Sequence, residues 1–143
     1  GKKPVKILKE VPGFLVNRLQ FALYREALFC LKEGIASAED IDMAVKGSYG
    51  FRLPTLGPLE TSDFGGLDTY LNIAEYLFKE IDRSTEPPEI LREKVRQGKL
   101  GVKTGDGFFR YTPEEAEKKI KERDRQFLQR LKCLYFRNSE KGD

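Results

Sequence analysis

One asparagine stands where its carboxamide could do chemistry. In "PGFLVNRL", residues 12–19, Asn17 is surrounded by apolar side chains at the start of a long apolar run. Asparagine is a poor helix former, and it costs free energy when it is buried without hydrogen-bond partners. Two interpretations are open. The amide could satisfy backbone groups in the first helical turn, or it could point at a ligand oxygen as a donor that polarises a carbonyl without titrating.

Two further groups of residues have chemical potential and an ordinary structural explanation. Glu60 and Asp63 are three positions apart and could act as paired carboxylates, although acidic residues also simply stabilise the start of a helix. The glycine- and lysine-rich stretch "GKLGVKTGDG", residues 98–107, could cradle a phosphate. It lacks the spacing and the strand-to-helix context of a P-loop, so a structural turn with glycines at positive φ is the favoured interpretation.

Composition excludes several classes of site. The 143 residues contain no histidine, which removes imidazole-based triads, His–Cys zinc sites and the commonest general base. The two cysteines, Cys30 and Cys133, have no metal-like spacing and fit a reduced, cytoplasmic protein. The net charge of +3 is located in residues 1–10, whereas a nucleic-acid surface needs a basic face. We expect no metal, no nucleic acid and no membrane partner.

Helical signals dominate the rest of the chain and predict an all-α fold of about five or six helices. Residues 14–32 form the first predicted helix, apolar on most sides and therefore expected to be the buried centre of the domain. Gly34 has the position of a left-handed cap. Ser37 and Thr112 are predicted N-caps. Pro58 suits the first position of another helix.

Four blocks in this order resemble a known family: "KEVPGFLVNRL", "EAL…L.EGIAS.EDID.A", "GFR.P.LGPLE..D..GLDT" and "GKLGVKTGDGFFRY". They are similar to the C-terminal domain of the L-3-hydroxyacyl-CoA dehydrogenases, and most of all to the short single-function subgroup such as 3-hydroxybutyryl-CoA dehydrogenase. The resemblance implies residues 1–12 as a connector from a dinucleotide-binding domain, residues 13–111 as the helical domain, and residues 112–143 as a C-terminal extension. It says little about that extension.

The resemblance also implies an activity in fatty-acid and butanoate metabolism and a division of labour. In the intact enzyme another domain would bind NAD and provide the catalytic histidine. This chain has no G-x-G-x-x-G motif and would bind no cofactor alone. It would form a substrate cleft for acyl-CoA and a homodimer. Asn17 would hold the substrate's 3-oxygen, and Leu56, Gly57 and Pro58 would lie beside the acyl cleft.

Two expectations complete the hypothesis. Arg18 should be structural and pair with a carboxylate such as Glu60 or Asp63. The chain is expected to be a fragment and inactive in isolation. The alternative is a non-enzymatic helical module that self-associates or docks on a partner.

Overall fold

The computed structural model describes residues 4–135, so the first residues of the predicted connector and the last residues of the extension lie outside the described part. This part of the chain contains six helices: α1 Val16–Lys32, α2 Ala38–Gly47, α3 Pro58–Gly65, α4 Leu67–Glu80, α5 Glu89–Arg96 and α6 Pro113–Tyr135. Across residues 4–135 there is no named strand, only isolated bridges in the loop before α6. The all-α prediction and the helix number are confirmed.

The helix boundaries follow from local chemistry. Ser37 accepts a hydrogen bond from the Asp40 backbone N–H at the start of α2 (3.1 Å), and Pro58 occupies the first turn of α3. At α6, Thr112 and Glu115 exchange hydrogen bonds, 2.9 Å from Thr112 N to Glu115 Oε2 and 3.2 Å in the other direction. This reciprocal pair is a capping box. Gly34, after α1, has φ 68°, as the left-handed cap requires.

The helices that pack on each other most extensively within residues 4–135 are neighbours in sequence. Helix α1 packs on α2, and α3 packs on α4; no other pair of helices among residues 4–135 packs as extensively. The helices thus form two contacting pairs, α1–α2 and α3–α4, with α5 and the long α6 following them. Nothing in the described part spans a bilayer, since no helix there is both long and apolar enough.

The burial of α1 differs from the prediction. The helix predicted as the buried centre is α1, yet only its Leu28 is buried, and Val16, Leu19 and Phe21 are 59–66% exposed. The periodicity correctly shows apolar residues on most sides of α1. It does not show which surface covers them, and residues 4–133, whose side chains the structure describes, leave them largely exposed.

Candidate functional site

The turn that leads into α1 has an unusual backbone. Gly13 and Phe14 both have positive φ, 80° and 49°, and the Phe14 N–H donates to Val11 O at 3.0 Å. A bulky residue in the left-handed region costs of order 1–3 kcal/mol, and such strain concentrates at functional sites. The two left-handed residues fix the direction in which the chain enters α1, and hence where Asn17 points.

Asn17 lines a cavity of about 840 Å³. One wall is α1 and the turn before it; the opposite wall is segment 84–88, with Leu91 of α5 beside it. The side chain of Asn17 is exposed. The N-cap residue of α1 is Leu15, whose side chain makes no capping hydrogen bond, so Asn17 is not the N-cap of this helix. The amide is thus in a position to meet a ligand.

Segment 84–88 is held against α1 by charged and polar groups. The carboxylate of Glu26 accepts the Asp82 backbone N–H at 2.8 Å. Arg25 donates to Ser84 O at 3.3 Å and lies 3.8 Å from the Asp82 carboxylate. Hydrogen bonds from the Ser84 hydroxyl and N–H, and the charge of Arg25, lower the pKa of Asp82, so Asp82 stays ionised. We call these contacts of Arg25 and Glu26 with Asp82 and Ser84 the clamp. The clamp holds segment 84–88 in a defined position as one wall of the cavity.

The cavity is mostly apolar with a cationic component. Phe21 and Tyr24 meet edge to face, with ring centroids 5.9 Å apart, and both line it; burial raises the pKa of the Tyr24 hydroxyl. Glu86 also lines the cavity, but Arg92 lies 2.8 Å from its carboxylate. Arg18, another lining residue, donates to Pro12 O at 3.4 Å.

The expectation that Arg18 pairs with Glu60 or Asp63 is wrong. Among residues 4–135, the guanidinium of Arg18 has no carboxylate within ion-pair distance. Spacing along α1 places Arg18 on a polar seam, but the carboxylates of Glu60 and Asp63 lie on α3, which contacts α4 and does not pack extensively on α1. The cavity therefore has a cation whose donors are largely available to a ligand.

The other predicted site residues do not line the cavity that Asn17 lines. Leu56, Gly57 and Pro58 lie at the start of α3, where Thr61 donates to Gly57 O at 2.8 Å, and none of the three lines the cavity. Glu60 lies in the first turn of α3, which fits the helix-stabilising interpretation.

The glycine–lysine loop is a structural turn. Gly98, Gly101 and Gly105 have φ of 70–78°. The Thr104 hydroxyl accepts the Leu100 N–H at 2.9 Å, and the Lys94 ammonium donates to Gly107 O at 2.7 Å. The loop satisfies its own polar groups, as the structural interpretation predicts.

Sequence reasoning missed the clamp and the wall that it holds. Arg25 and Ser84 are 59 residues apart, and Glu26 and Asp82 are 56 apart. No local pattern connects them.

We expect Glu26→Ala to loosen the wall. A hydrogen bond to a charged group contributes about 1.5–3 kcal/mol, so the Asp82 amide should exchange its hydrogen at least about tenfold faster, as measured by amide hydrogen exchange. Glu33→Ala is the matched control, because Glu33 is also a carboxylate at α1 and its ion pair within residues 4–135 is with the neighbouring Lys32. Equal exchange at Asp82 in both variants would contradict the clamp.

Comparison with known proteins adds the family context. The family model described as "3-hydroxyacyl-CoA dehydrogenase, C-terminal domain" matches residues 13–111. A probable 3-hydroxybutyryl-CoA dehydrogenase of Bacillus subtilis is 41% identical over 112 residues, which are 78% of this chain and 38% of the relative. The human mitochondrial hydroxyacyl-coenzyme A dehydrogenase is 40% identical over 114 residues, 78% of this chain and 35% of its own length.

A third relative matches more of the chain. The 5-formyl-3-hydroxy-2-methylpyridine 4-carboxylate 5-dehydrogenase of Mesorhizobium japonicum is 34% identical over 128 residues, 90% of this chain and 41% of the relative. A crystal structure of an enzyme of that name, described as an NAD+-dependent dismutase, superposes with a TM-score of 0.91 at 33% identity. It covers 94% of this chain and 44% of the other. The chain thus spans about two fifths of the length of these relatives.

Proposed function

Because the chain belongs to the family of 3-hydroxyacyl-CoA dehydrogenase C-terminal domains, we propose that it is the substrate-cleft and dimerisation domain of an NAD-dependent 3-hydroxyacyl-CoA dehydrogenase, with a 3-hydroxybutyryl-CoA-like substrate. The observation that carries the proposal is the exposed carboxamide of Asn17 in the cavity between α1 and segment 84–88. The homodimer is part of the same proposal, as is a cytoplasmic location, which the free thiols of Cys30 and Cys133 favour.

Residues 4–135 present no features that fit a dinucleotide cofactor. The sequence has no G-x-G-x-x-G, and the described part has no parallel sheet on which such a motif could lie. The NAD site and the general base are therefore assigned to a dinucleotide-binding domain outside these residues. We propose residues 1–12 as its connector, 13–111 as the cleft domain and 112–143 as an extension.

The role of this chain's own residues is to bind and polarise the substrate. The Asn17 amide would donate a hydrogen bond to the 3-oxygen of the substrate, where negative charge develops in one direction of the reaction. The apolar wall formed by Phe21, Tyr24 and Leu28 would exclude water from the reacting carbon. The clamp, through Glu26, would hold segment 84–88 opposite Asn17.

A second substrate class is favoured by two observations. The match to the Mesorhizobium relative covers 90% of the chain and must therefore include at least part of α6. The match to the Bacillus relative covers 78%. Arg18, in the cavity beside Asn17, has no carboxylate partner among residues 4–135, and a guanidinium binds carboxylates well. The alternative substrate is an aromatic ring that carries a carboxylate beside an oxidisable aldehyde or alcohol.

One experiment tests both substrate classes. The purified chain alone should give no NAD-linked turnover, and adding the dinucleotide-binding domain as a separate polypeptide should restore it. Acetoacetyl-CoA with NADH and a pyridine aldehyde carboxylate with NAD+ are assayed side by side. The absorbance of NADH is the readout, falling as the thioester is reduced and rising as the aldehyde is oxidised. Turnover of the thioester supports the first candidate, and turnover of the aromatic acid supports the second. A chain that is only a docking module would gain activity with neither.

A further inference from the structure

Three charged side chains line the cavity, and two of them have a counterion in place. The guanidinium of Arg25 lies 3.8 Å from the Asp82 carboxylate, and the Glu86 carboxylate lies 2.8 Å from the guanidinium of Arg92. The third charge is that of Arg18, which has no carboxylate within ion-pair distance among residues 4–135. The lining of the cavity therefore carries one uncompensated positive charge.

The guanidinium of Arg18 also has hydrogen-bonding capacity to spare. A guanidinium has five N–H donors, and within the described part of the chain Arg18 makes one side-chain hydrogen bond, to Pro12 O at 3.4 Å. A planar pair of N–H donors matches a carboxylate, and such charge-assisted bonds are stronger where apolar walls partly exclude water. Arg18 is thus the group in this cavity that is suited to hold an anion.

Thr85 offers two more donors on the opposite wall of the cavity. It lines the cavity, and neither its hydroxyl nor its N–H donates to any group of residues 4–135. Its chain neighbours are anchored on both sides, because Ser84 O accepts from Arg25 at 3.3 Å and Pro87 O accepts from Arg92 Nε at 3.1 Å. The donors of Thr85 are therefore held in place without being used.

We propose that Arg18 and Thr85 form a subsite for a carboxylate of the substrate, which binds between α1 and segment 84–88 beside the oxygen that Asn17 polarises. The Cα atoms of consecutive residues are about 3.8 Å apart, and consecutive side chains leave a helix about 100° apart. The reacting oxygen and the carboxylate are therefore close neighbours in the substrate, as they are on adjacent atoms of a ring. The anionic groups of a CoA thioester are separated from the reacting carbon by the long pantetheine arm.

The apolar part of the lining indicates what carries the carboxylate. Phe21 and Tyr24 meet edge to face in the cavity, and a planar ring can extend such an aromatic pair. Benzoate is accordingly the smallest probe of the subsite, and benzamide is its neutral counterpart of nearly the same shape. The proposal rests on the proposed function only in taking Asn17 as the partner of the reacting oxygen.

Binding tests the subsite without any turnover. Benzoate and benzamide are titrated into the full-length enzyme, without NAD, and followed by ligand-observed NMR. The wild-type protein should prefer benzoate, and Arg18→Met should weaken benzoate binding about 10–100-fold, because charge-assisted hydrogen bonds are lost. Thr85→Val should weaken it about 2–10-fold, since a neutral donor is lost. Arg83→Met is the matched control: Arg83 also donates at 3.4 Å to a backbone oxygen, that of Lys79, but does not line the cavity.

Two further measurements keep the binding test decisive. Arg18→Lys keeps the charge without the planar fork, so its benzoate affinity should lie between those of wild type and Arg18→Met; with Thr85→Val it carries the test if Arg18→Met does not fold. Equal binding of benzoate and benzamide, or an equal loss in Arg83→Met, overturns the proposal. Inorganic phosphate that competes as well as benzoate at matched ionic strength also overturns it, since the subsite would then be one for phosphate.

Kinetics separates failure of the subsite from failure of the proposed function. With the pyridine aldehyde carboxylate, Arg18→Met should raise KM more than it lowers kcat, because the carboxylate is bound alike in the ground and transition states. If no substrate is turned over, the proposed function fails while selective benzoate binding still supports the subsite. If Arg18→Met changes KM equally for the aromatic acid and for acetoacetyl-CoA, the subsite is overturned while the proposed function stands.

Discussion

Asn17→Ala is expected to lower the kcat of the complete enzyme by about 10²–10³-fold, the usual effect of removing one donor from a developing oxyanion. The carboxamide is exposed in the cavity and is not used as the cap of α1. An interaction made mainly in the transition state lowers kcat more than it raises KM. Steady-state kinetics with the substrate class that shows turnover gives the two parameters separately.

Stability separates this role from helix capping. Alanine is a better helix former than asparagine by up to about 0.7 kcal/mol, so Asn17→Ala should leave the melting temperature unchanged or slightly higher. Gln20→Ala is the matched control, since Gln20 is an exposed amide on α1 that does not line the cavity. A lower melting temperature with an unchanged kcat would mean that the amide only supports the first turn of α1.

The elements of the fold could be predicted because their boundaries are local. Ser37 and Thr112 each mark a helix start by accepting a hydrogen bond from a backbone N–H three residues later, and Pro58 marks one by occupying the first turn itself. Gly34 marks a helix end through its own φ. Such signals depend on the chemistry of a few consecutive residues and need no knowledge of tertiary structure.

Only one wall of the candidate site, the one formed by α1, could be predicted from the sequence. The resemblance pointed to Asn17, and the structure places it in a cavity. The opposite wall is fixed by Glu26 and Arg25 acting on residues more than fifty positions away, and side-chain periodicity is silent about pairs at that distance. The same limit explains α1: its apolar sides are visible in the sequence, but the surface that covers them is a tertiary or quaternary property.

The same reasoning explains why Arg18 was misassigned. Its place on α1 follows from the helical period, while its acceptor, Pro12 O, follows from the strained turn at Gly13 and Phe14. A residue with φ of 49° that is not glycine has no reliable sequence signature. Where the backbone turns at such a residue, neighbours in space cannot be derived from spacing along the chain.

Gly107→Ala is expected to destabilise the chain by about 3 kcal/mol, the upper part of the range for a substitution that forces atoms into a packed site. Gly107 is buried, and an added Cβ would lie 2.7 Å from Gly101 Cα and 2.9 Å from Gly101 N. Because these are backbone atoms, they cannot rotate away as a side chain would. Chemical denaturation should show the loss as a lower midpoint with an unchanged slope.

Two other glycines separate the steric cost from the conformational one. Gly47 has no atom within 4 Å of an added Cβ and lies outside the left-handed region, so Gly47→Ala should be nearly neutral. Gly98 is equally open but has φ 70°, so Gly98→Ala should cost about 1–2 kcal/mol from backbone strain alone.

A phosphate cradle would give a different pattern: Gly107→Ala would leave the free chain's stability intact and weaken only phosphate binding. The expected order, with Gly107→Ala the least stable in the absence of any ligand, is that of a loop whose glycines let two backbone segments touch.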